Sequence, residues 1–271
     1  MSRSIPHIAV VTDEVATNLP DALAWCSTES VHQVELRMVG PTRIPTLSAV
    51  DKQRLDDAHR DGLQITGLSP GIFKGSIGDT QAIRHELDTV LPATLDLAER
   101  WSSQTIIVFG FERFESDPVD ASERADAYFI EAADQAASAG VTIAIENEPN
   151  FIVDLPEDEA QRLTRIAHPN LRANWDPANM HWGGTMPTYD GFKALAPHIH
   201  NLHVKDFLGA VENAPWVPVG EGNTPWKAIL GWVVGALDLS HITLETHCLD
   251  HAESSRRSIA YLRTLLTELV K

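Results

Sequence analysis

The sequence predicts an α/β chain folded as a single (β/α)8 TIM barrel, and three observations predict it. Short apolar runs alternate eight times with longer helix-like stretches. The length, 271 residues, suits one such barrel of about 250 residues. No linker or low-complexity segment divides the chain, so residues 1–271 read as one domain.

The strands fall near 7–12 (HIAVVT), 31–37 (VHQVELR), 63–69 (LQITGLS), 104–111 (QTIIVFGF), 141–146 (VTIAIE), 171–176 (LRANWD), 200–205 (HNLHVK) and 241–246 (HITLET). Between them the pattern predicts helices near 20–27, 46–61, 80–100, 120–139, 156–167, 188–196, 224–236 and 252–270. In the last, Ile259, Leu262, Leu266 and Leu269 recur at helical spacing and form one buried stripe. In the third, Ile83, Leu87, Val90, Leu91 and Leu95 do the same, and Pro92 should kink or split it. Thr46, Asp79 and Asp250 are the candidate N-caps, and Gly62 and Gly140 stand where helices give way to strands. Right-handed crossovers into one closed parallel sheet satisfy this order. An open doubly wound sheet is the runner-up, but the first strand is not followed by the glycine-rich turn that such a sheet uses for nucleotides.

Composition narrows the function classes. A 43% hydrophobic share with 22% charged residues is enough to build a core. The formal charge of −17 would repel a phosphate backbone, and no Lys/Arg cluster offsets it, so nucleic acid is not an expected partner. No apolar run approaches the roughly 18 residues of a membrane helix, so no membrane partner is expected. The opening MSRSIPHIAVVTDE has neither the apolar core nor the cleavage site of a signal peptide. Cys26 and Cys248, far apart and outside any metal or redox spacing, fit a reducing cytoplasm.

Strand side chains alternate between faces, so one parity must meet the helices and the other the barrel axis. Val141, Ile143 and Ile145 oppose Thr142, Ala144 and Glu146, and Leu171, Ala173 and Trp175 oppose Arg172, Asn174 and Asp176. Leu202 and Val204 oppose Asn201, His203 and Lys205, and Ile242 and Leu244 oppose Thr243 and Glu245. The polar parity therefore brings Glu146, Asp176, His203 and Glu245 inside, at the C-terminal ends of four successive strands, where this fold keeps its active sites. Three carboxylates and an imidazole so gathered repel one another unless something positive lies between them. A divalent cation resolves that. Such an oxygen-rich set with one nitrogen suits Mn²⁺, Mg²⁺, Co²⁺ or Zn²⁺ and leaves coordination positions for substrate.

With their neighbours, these positions resemble the xylose isomerase-like sugar (phosphate) isomerase/epimerase family of TIM barrels. The matching segments are IAIENEPN around Glu146, NWDPAN around Asp176, NLHVKD around His203, VPVGEGN at 217–223 and ITLETH around Glu245, with VTDE (11–14) and VELR (34–37) as further strand ends. The resemblance implies one divalent ion, most commonly manganese, with Glu146, Asp176, His203 and Glu245 as ligands. It implies a small carbohydrate substrate and leaves a homo-oligomer open. It also implies that Glu146 and Glu245 are catalytic: one removes the proton α to a carbonyl and the other returns it through an enediolate. A Lewis acid beside a mobile carboxylate supports that chemistry without the resemblance.

Many relatives carry a histidine three residues after the aspartate, where this chain has Asn179, which can hold a hydroxyl but cannot shuttle a proton. Asn179, Lys205, His247, Glu148 and His181 are the candidate substrate contacts. Lys205 either faces substrate or forms an internal salt bridge with Asp206 or a neighbouring carboxylate. Glu148 is either a contact or a solvated loop acid. Glu221 either orients His203 or shapes a Gly-Glu-Gly turn. Glu35 and Arg37 either pair with each other or reach substrate, and Trp182, Trp216 and Phe73 either wall the pocket or cover the barrel mouth. The leading function is metal-dependent isomerisation or epimerisation of a small keto sugar or keto acid. A dehydratase or lyase on the same scaffold (inosose or dehydroshikimate dehydratase, or 3-keto-glycoside deglycosidase) begins with the same proton abstraction. The family's DNA-repair endonucleases need more histidines at strand ends and a basic surface. A sugar-binding subunit without catalysis would not need so costly a cluster of acids.

Overall fold

The structure is a computed structural model that describes residues 5–209 and 214–270. Residues 1–4, part of the segment read for a leader, lie outside it. Eight strands form a closed barrel. They are β1 (His7–Val11), β2 (Gln33–Leu36), β3 (Gln64–Leu68), β4 (Thr105–Phe109), β5 (Thr142–Glu146), β6 (Leu171–Trp175), β7 (Ile199–Val204) and β8 (His241–Leu244). Each pairs in parallel with its sequence neighbours, and β1 closes the ring on β8 in the register Ala9 to Thr243. All eight predicted strands are present, trimmed by a few residues at some ends.

The helices are α1 (Leu19–Thr28), α2 (Ala49–Arg60), α3 (Thr80–His85), α4 (Leu91–Trp101), α5 (Ala121–Ser138), α6 (Pro156–Ile166), α7 (Pro177–Trp182), α8 (Tyr189–Leu195), α9 (Trp226–Ala236) and α10 (His251–Leu269). The predicted third helix is two. A π turn over Glu86–Val90 separates α3 from α4 within one continuous helical run, and it ends just before Pro92, which has no N–H to give to the preceding turn. Asp79 caps α3 by accepting from the Ala82 N–H. Asp250 stands at the N-cap of α10 without a side-chain cap bond. Thr46 does not cap α2: Ser48 does, accepting from the Asp51 N–H at 3.0 Å and donating to Asp51 Oδ2 at 2.6 Å, a reciprocal pair open to Ser48 but not to Thr46. Two ribbons, Met38–Val39 with Thr42–Arg43 and Asp206–Phe207 with Trp216–Val217, were not predicted.

The apolar parity packs outward under the helices, where Val10, Val34, Ile106, Ile143, Trp175, Leu202 and Leu244 are buried in one continuous core. The opposite parity fills the barrel. No described helix is long and apolar enough to cross a membrane.

Candidate metal centre at the barrel mouth

Glu146 is the last residue of β5, and Asp176 directly follows β6. Asp176 is also the N-cap of α7. Its Oδ1 accepts the Asn179 N–H at 2.8 Å, and Pro177 opens the helix behind it. Its Oδ2 is buried, makes no hydrogen bond and lies 2.9 Å from Lys205 Nζ. Asn147 clamps the Asp176 backbone, accepting its N–H at 2.7 Å and donating to its carbonyl at 2.8 Å. This clamp fixes the stagger between the ends of β5 and β6, and with it the approach of Glu146 to Asp176.

His203, buried within β7, points Nδ1 at Glu146 Oε1 and Glu245 Oε2, each at 3.3 Å. Its Nε2 lies 3.0 Å from Glu35 Oε2, across the barrel on β2. Gly67 on β3 makes room for this pair, because a Cβ there would stand 3.3 Å from Glu35 Cγ and Oε2. Burial opposes a charge on His203, but the carboxylates of Glu35 and Glu146 outweigh it and raise its pKa well above the ordinary imidazole value.

Glu245, just beyond β8, is the most heavily engaged acid. Its Oε1 meets Arg37 Nη1 and its Oε2 accepts from Lys205 Nζ at 2.8 Å. Burial alone would raise its pKa, yet Lys205, His247 and His203 hold it well below the carboxylate range. Burial likewise opposes a charge on Lys205, and Asp176, Glu245 and Glu146 reverse that. Arg37 also binds Asp13 at 2.7 Å and Glu14. Glu14 has a pKa lowered to about 2: burial works against this, and the bond with His247 at 3.0 Å prevails.

One ligand atom each from Glu146, Asp176, His203 and Glu245 lies within 4.8 Å of all the others. Metal–ligand bonds of about 2.1 Å set donors about 3 to 4 Å apart, so small movements of these side chains bring all four onto a common ion. The donor chemistry supports the fit: three buried carboxylates and one imidazole nitrogen converge, with the Lys205 ammonium against Asp176 and Glu245 as the cation the cluster already draws in. A second grouping, Glu14, Glu245 and His247, passes the same distance test. There the Arg37 guanidinium already lies against both acids and supplies the positive charge.

Asn179 borders the cluster, with Nδ2 3.0 Å from the Asn147 carbonyl and 3.4 Å from Glu146 Oε1. Lys205 makes the internal salt bridge, to Asp176 and Glu245 and not to Asp206. His247 lies 3.3 Å from Lys205 Nζ and packs its ring against Trp216, which stacks on Trp182 at 6.1 Å. His181 packs on Phe207 and lies 3.4 Å from Thr224 Oγ1. Glu148 accepts from Lys74 Nζ at 3.1 Å, so it is a paired acid rather than a solvated one. Glu221 pairs with Arg257 on the surface and does not orient His203; Glu35 does. Glu35 and Arg37 do not pair with each other, because adjacent-but-one residues of a strand that bends at its end serve different partners. Phe73 is fully buried against Phe111 and Phe129, away from any pocket wall.

Sequence reasoning missed the work of Glu35, Glu14 and Asn147. Glu35 was readable, since it lies on the inward parity of β2 opposite Val34 and Leu36. Asn147 was not, because its partner is the main chain of another strand.

A family model described as xylose isomerase-like TIM barrel matches residues 23–265. The chain belongs to the xylose isomerase-like TIM barrel family. No curated protein matches it in sequence. Among solved structures it is similar to a probable 3-DHS dehydratase involved in petrobactin synthesis from Bacillus anthracis, at 16% identity and TM-score 0.78 over 95% of this chain and 98% of the other. A xylose isomerase-like TIM barrel protein from Mycobacterium smegmatis, in complex with magnesium, has 16% identity and TM-score 0.76 over 98% of both chains. D-Allulose 3-epimerase from Methylomonas sp., in complex with D-allulose, has 13% identity and TM-score 0.75 over 97% and 99%. At these identities the likeness is one of fold.

Proposed function

We propose that this member of the xylose isomerase-like family is a divalent-metal-dependent isomerase or epimerase of a small keto sugar, with the whole chain acting as one domain. The reading rests on one observation: four donors of the right chemistry converge within 4.8 Å at the C-terminal mouth of the barrel. Glu146, Asp176, His203 and Glu245 would hold the ion, with Mn²⁺ the first candidate and Mg²⁺, Co²⁺ or Zn²⁺ the others. Magnesium in one structural neighbour and a bound ketose in another are compatible with this.

A divalent ion held there would stabilise the negative charge that develops on a substrate carbonyl oxygen. The chain supplies the rest. Glu146 and Glu245 stand on strands three apart around the ring and address opposite faces of a sugar lying across the mouth. Glu146, with fewer competing partners, removes the α-proton, and Glu245, itself ionised, relays a proton from the Lys205 ammonium 2.8 Å away to the other face or to the neighbouring carbon; Glu146 then loses its proton to solvent and Lys205 regains one. Lys205 and Arg37 hold Glu245 in place, Asn179 orients a hydroxyl, and the Trp182–Trp216 stack limits water entry.

The test is incubation with neutral ketoses in D₂O after chelation and after metal readdition. Solvent deuterium should enter a product isomeric with the substrate only when metal is restored. Loss of water or of an aglycone would move the assignment to a dehydratase or lyase, and exchange undiminished by complete metal removal would overturn it.

A further inference from the structure

Resting on the function just proposed, we infer that the site takes an uncharged polyhydroxy ketone and discriminates against phosphorylated and carboxylated ones. Barrels of this fold commonly bind phosphate through the backbone N–H groups of the loops after the seventh and eighth strands. In this chain the first of those loops is filled from within. Asp206 Oδ2 accepts from Gly220 at 3.0 Å and Gly222 at 3.2 Å, and its Oδ1 accepts from Thr224 and Phe207 at 3.0 Å each. Asp206 is fully buried, and a Cβ on Gly222 would overlap both its carboxylate and the Phe207 carbonyl. The loop is thus wrapped around its own anion at a contact only glycine permits.

Three cationic side chains near the mouth are committed to acids in the same way. Arg37 is shared by Asp13, Glu14 and Glu245, Lys205 by Asp176 and Glu245, and Lys74 is held by Glu148. Arg43 makes no ion pair with any described residue; it donates to the Ser69 carbonyl at 3.0 Å, and burial and the neighbouring Arg37 charge lower its pKa, which disfavours a full positive charge there. Among the described residues, adding a divalent ion brings this set close to neutral overall, which disfavours a substrate anion. The formal charge of −17 disfavours anionic ligands at longer range. What remains is suited to hydroxyls and C–H faces: the Asn179 amide, the Trp182–Trp216 stack and Trp182 Nε1, which is shielded from solvent without a hydrogen-bond partner.

The experiment is calorimetry on the metal-loaded full chain. Its probes are D-fructose, D-allulose, D-tagatose and L-sorbose, the 1- and 6-phosphates of D-fructose, and the keto acid 2-keto-D-gluconate. At least one neutral ketose should bind tenfold or more tightly than every anionic probe. Equal or tighter binding of any phosphate or keto acid, or no binding by any neutral ketose, overturns the inference. Metal-dependent deuterium exchange into an anionic probe would sink the charge selection and leave the proton-transfer reading standing. Exchange into no probe would sink that reading itself. Asp206→Ser, which vacates the loop donors, should bind sulfate at millimolar concentration where the parent does not. A folded variant that ignores sulfate would refute the filled-cradle argument, and the ketose panel decides should it not fold.

Discussion

The two ends of the barrel hold polar side chains by opposite rules, and β7 runs through both. At its N-terminal end, His200 bonds Thr105 Oγ1 at 3.0 Å, and Gln33 on β2 bonds Gln64 on β3 at 2.8 Å. Burial lowers the pKa of His200 and takes that of His241, hemmed in by His200, His203 and His7, to about 4. A cavity of about 590 Å³ opens on this end beside His7, His32 and Gln64, where Arg263 is tied to the carbonyls of Glu29 and Ser30. Three residues along β7, His203 is buried more deeply than the half-buried His200, yet its pKa moves the other way, because carboxylates surround it. Burial by itself silences a histidine; only a concentration of acids makes its charge persist. A cluster of buried charges costs stability, and the proposed function gives that cost a purpose at the charged end.

The largest effect that would test this contrast comes from the mouth. Glu146→Gln and Glu245→Gln should each lower kcat and deuterium exchange by about 10³-fold or more, with unchanged circular dichroism. A matching loss from Gln64→Ala at the opposite end would erase the division. Next is Glu35→Gln, which should weaken divalent-metal binding by about 10- to 100-fold in a direct titration, since Glu35 orients His203 from behind. An unchanged metal affinity would remove Glu35 from the site.

A carboxylate buried elsewhere should behave unlike those at the mouth. Glu159 on α6 is buried with neither oxygen hydrogen-bonded, and burial raises its pKa well above the usual value despite Arg162. The folded state therefore favours its protonated form, and stability falls as pH rises from the unfolded pKa through the folded one. Glu159→Leu should stabilise the protein by about 1–3 kcal/mol at pH 8 and much less at pH 4, by denaturant titration. The smallest effect belongs to His241. Its unfolded state gains a proton below the ordinary imidazole pKa while the folded state resists to about 4, so stability is lost as pH falls across that window. His241→Gln should flatten that acid limb by about 1–2 kcal/mol.

The barrel was legible because a short apolar run, a signal set by burial, repeats eight times, and four of those runs carry one polar parity. The same parity brought out Glu146, Asp176, His203 and Glu245, and applied to β2 it would have brought out Glu35. Six-residue α7 and the two-residue ribbons were not legible, since elements that short are held by tertiary partners rather than by periodicity. The fate of Lys205 was undecided in sequence for a related reason: its partners Asp176 and Glu245 arrive from strands on either side of its own.

Asp176 has one further consequence. One of its oxygens anchors the first turn of α7 and the other faces the cluster, so the carboxylate is a hinge pin between ion and helix. Asn179, His181 and Trp182 all ride on that single turn-and-a-half. On the proposed function, a shift of Asp176 toward a cation would carry these three side chains with it, so that filling the centre and shaping the space beside it would be one motion.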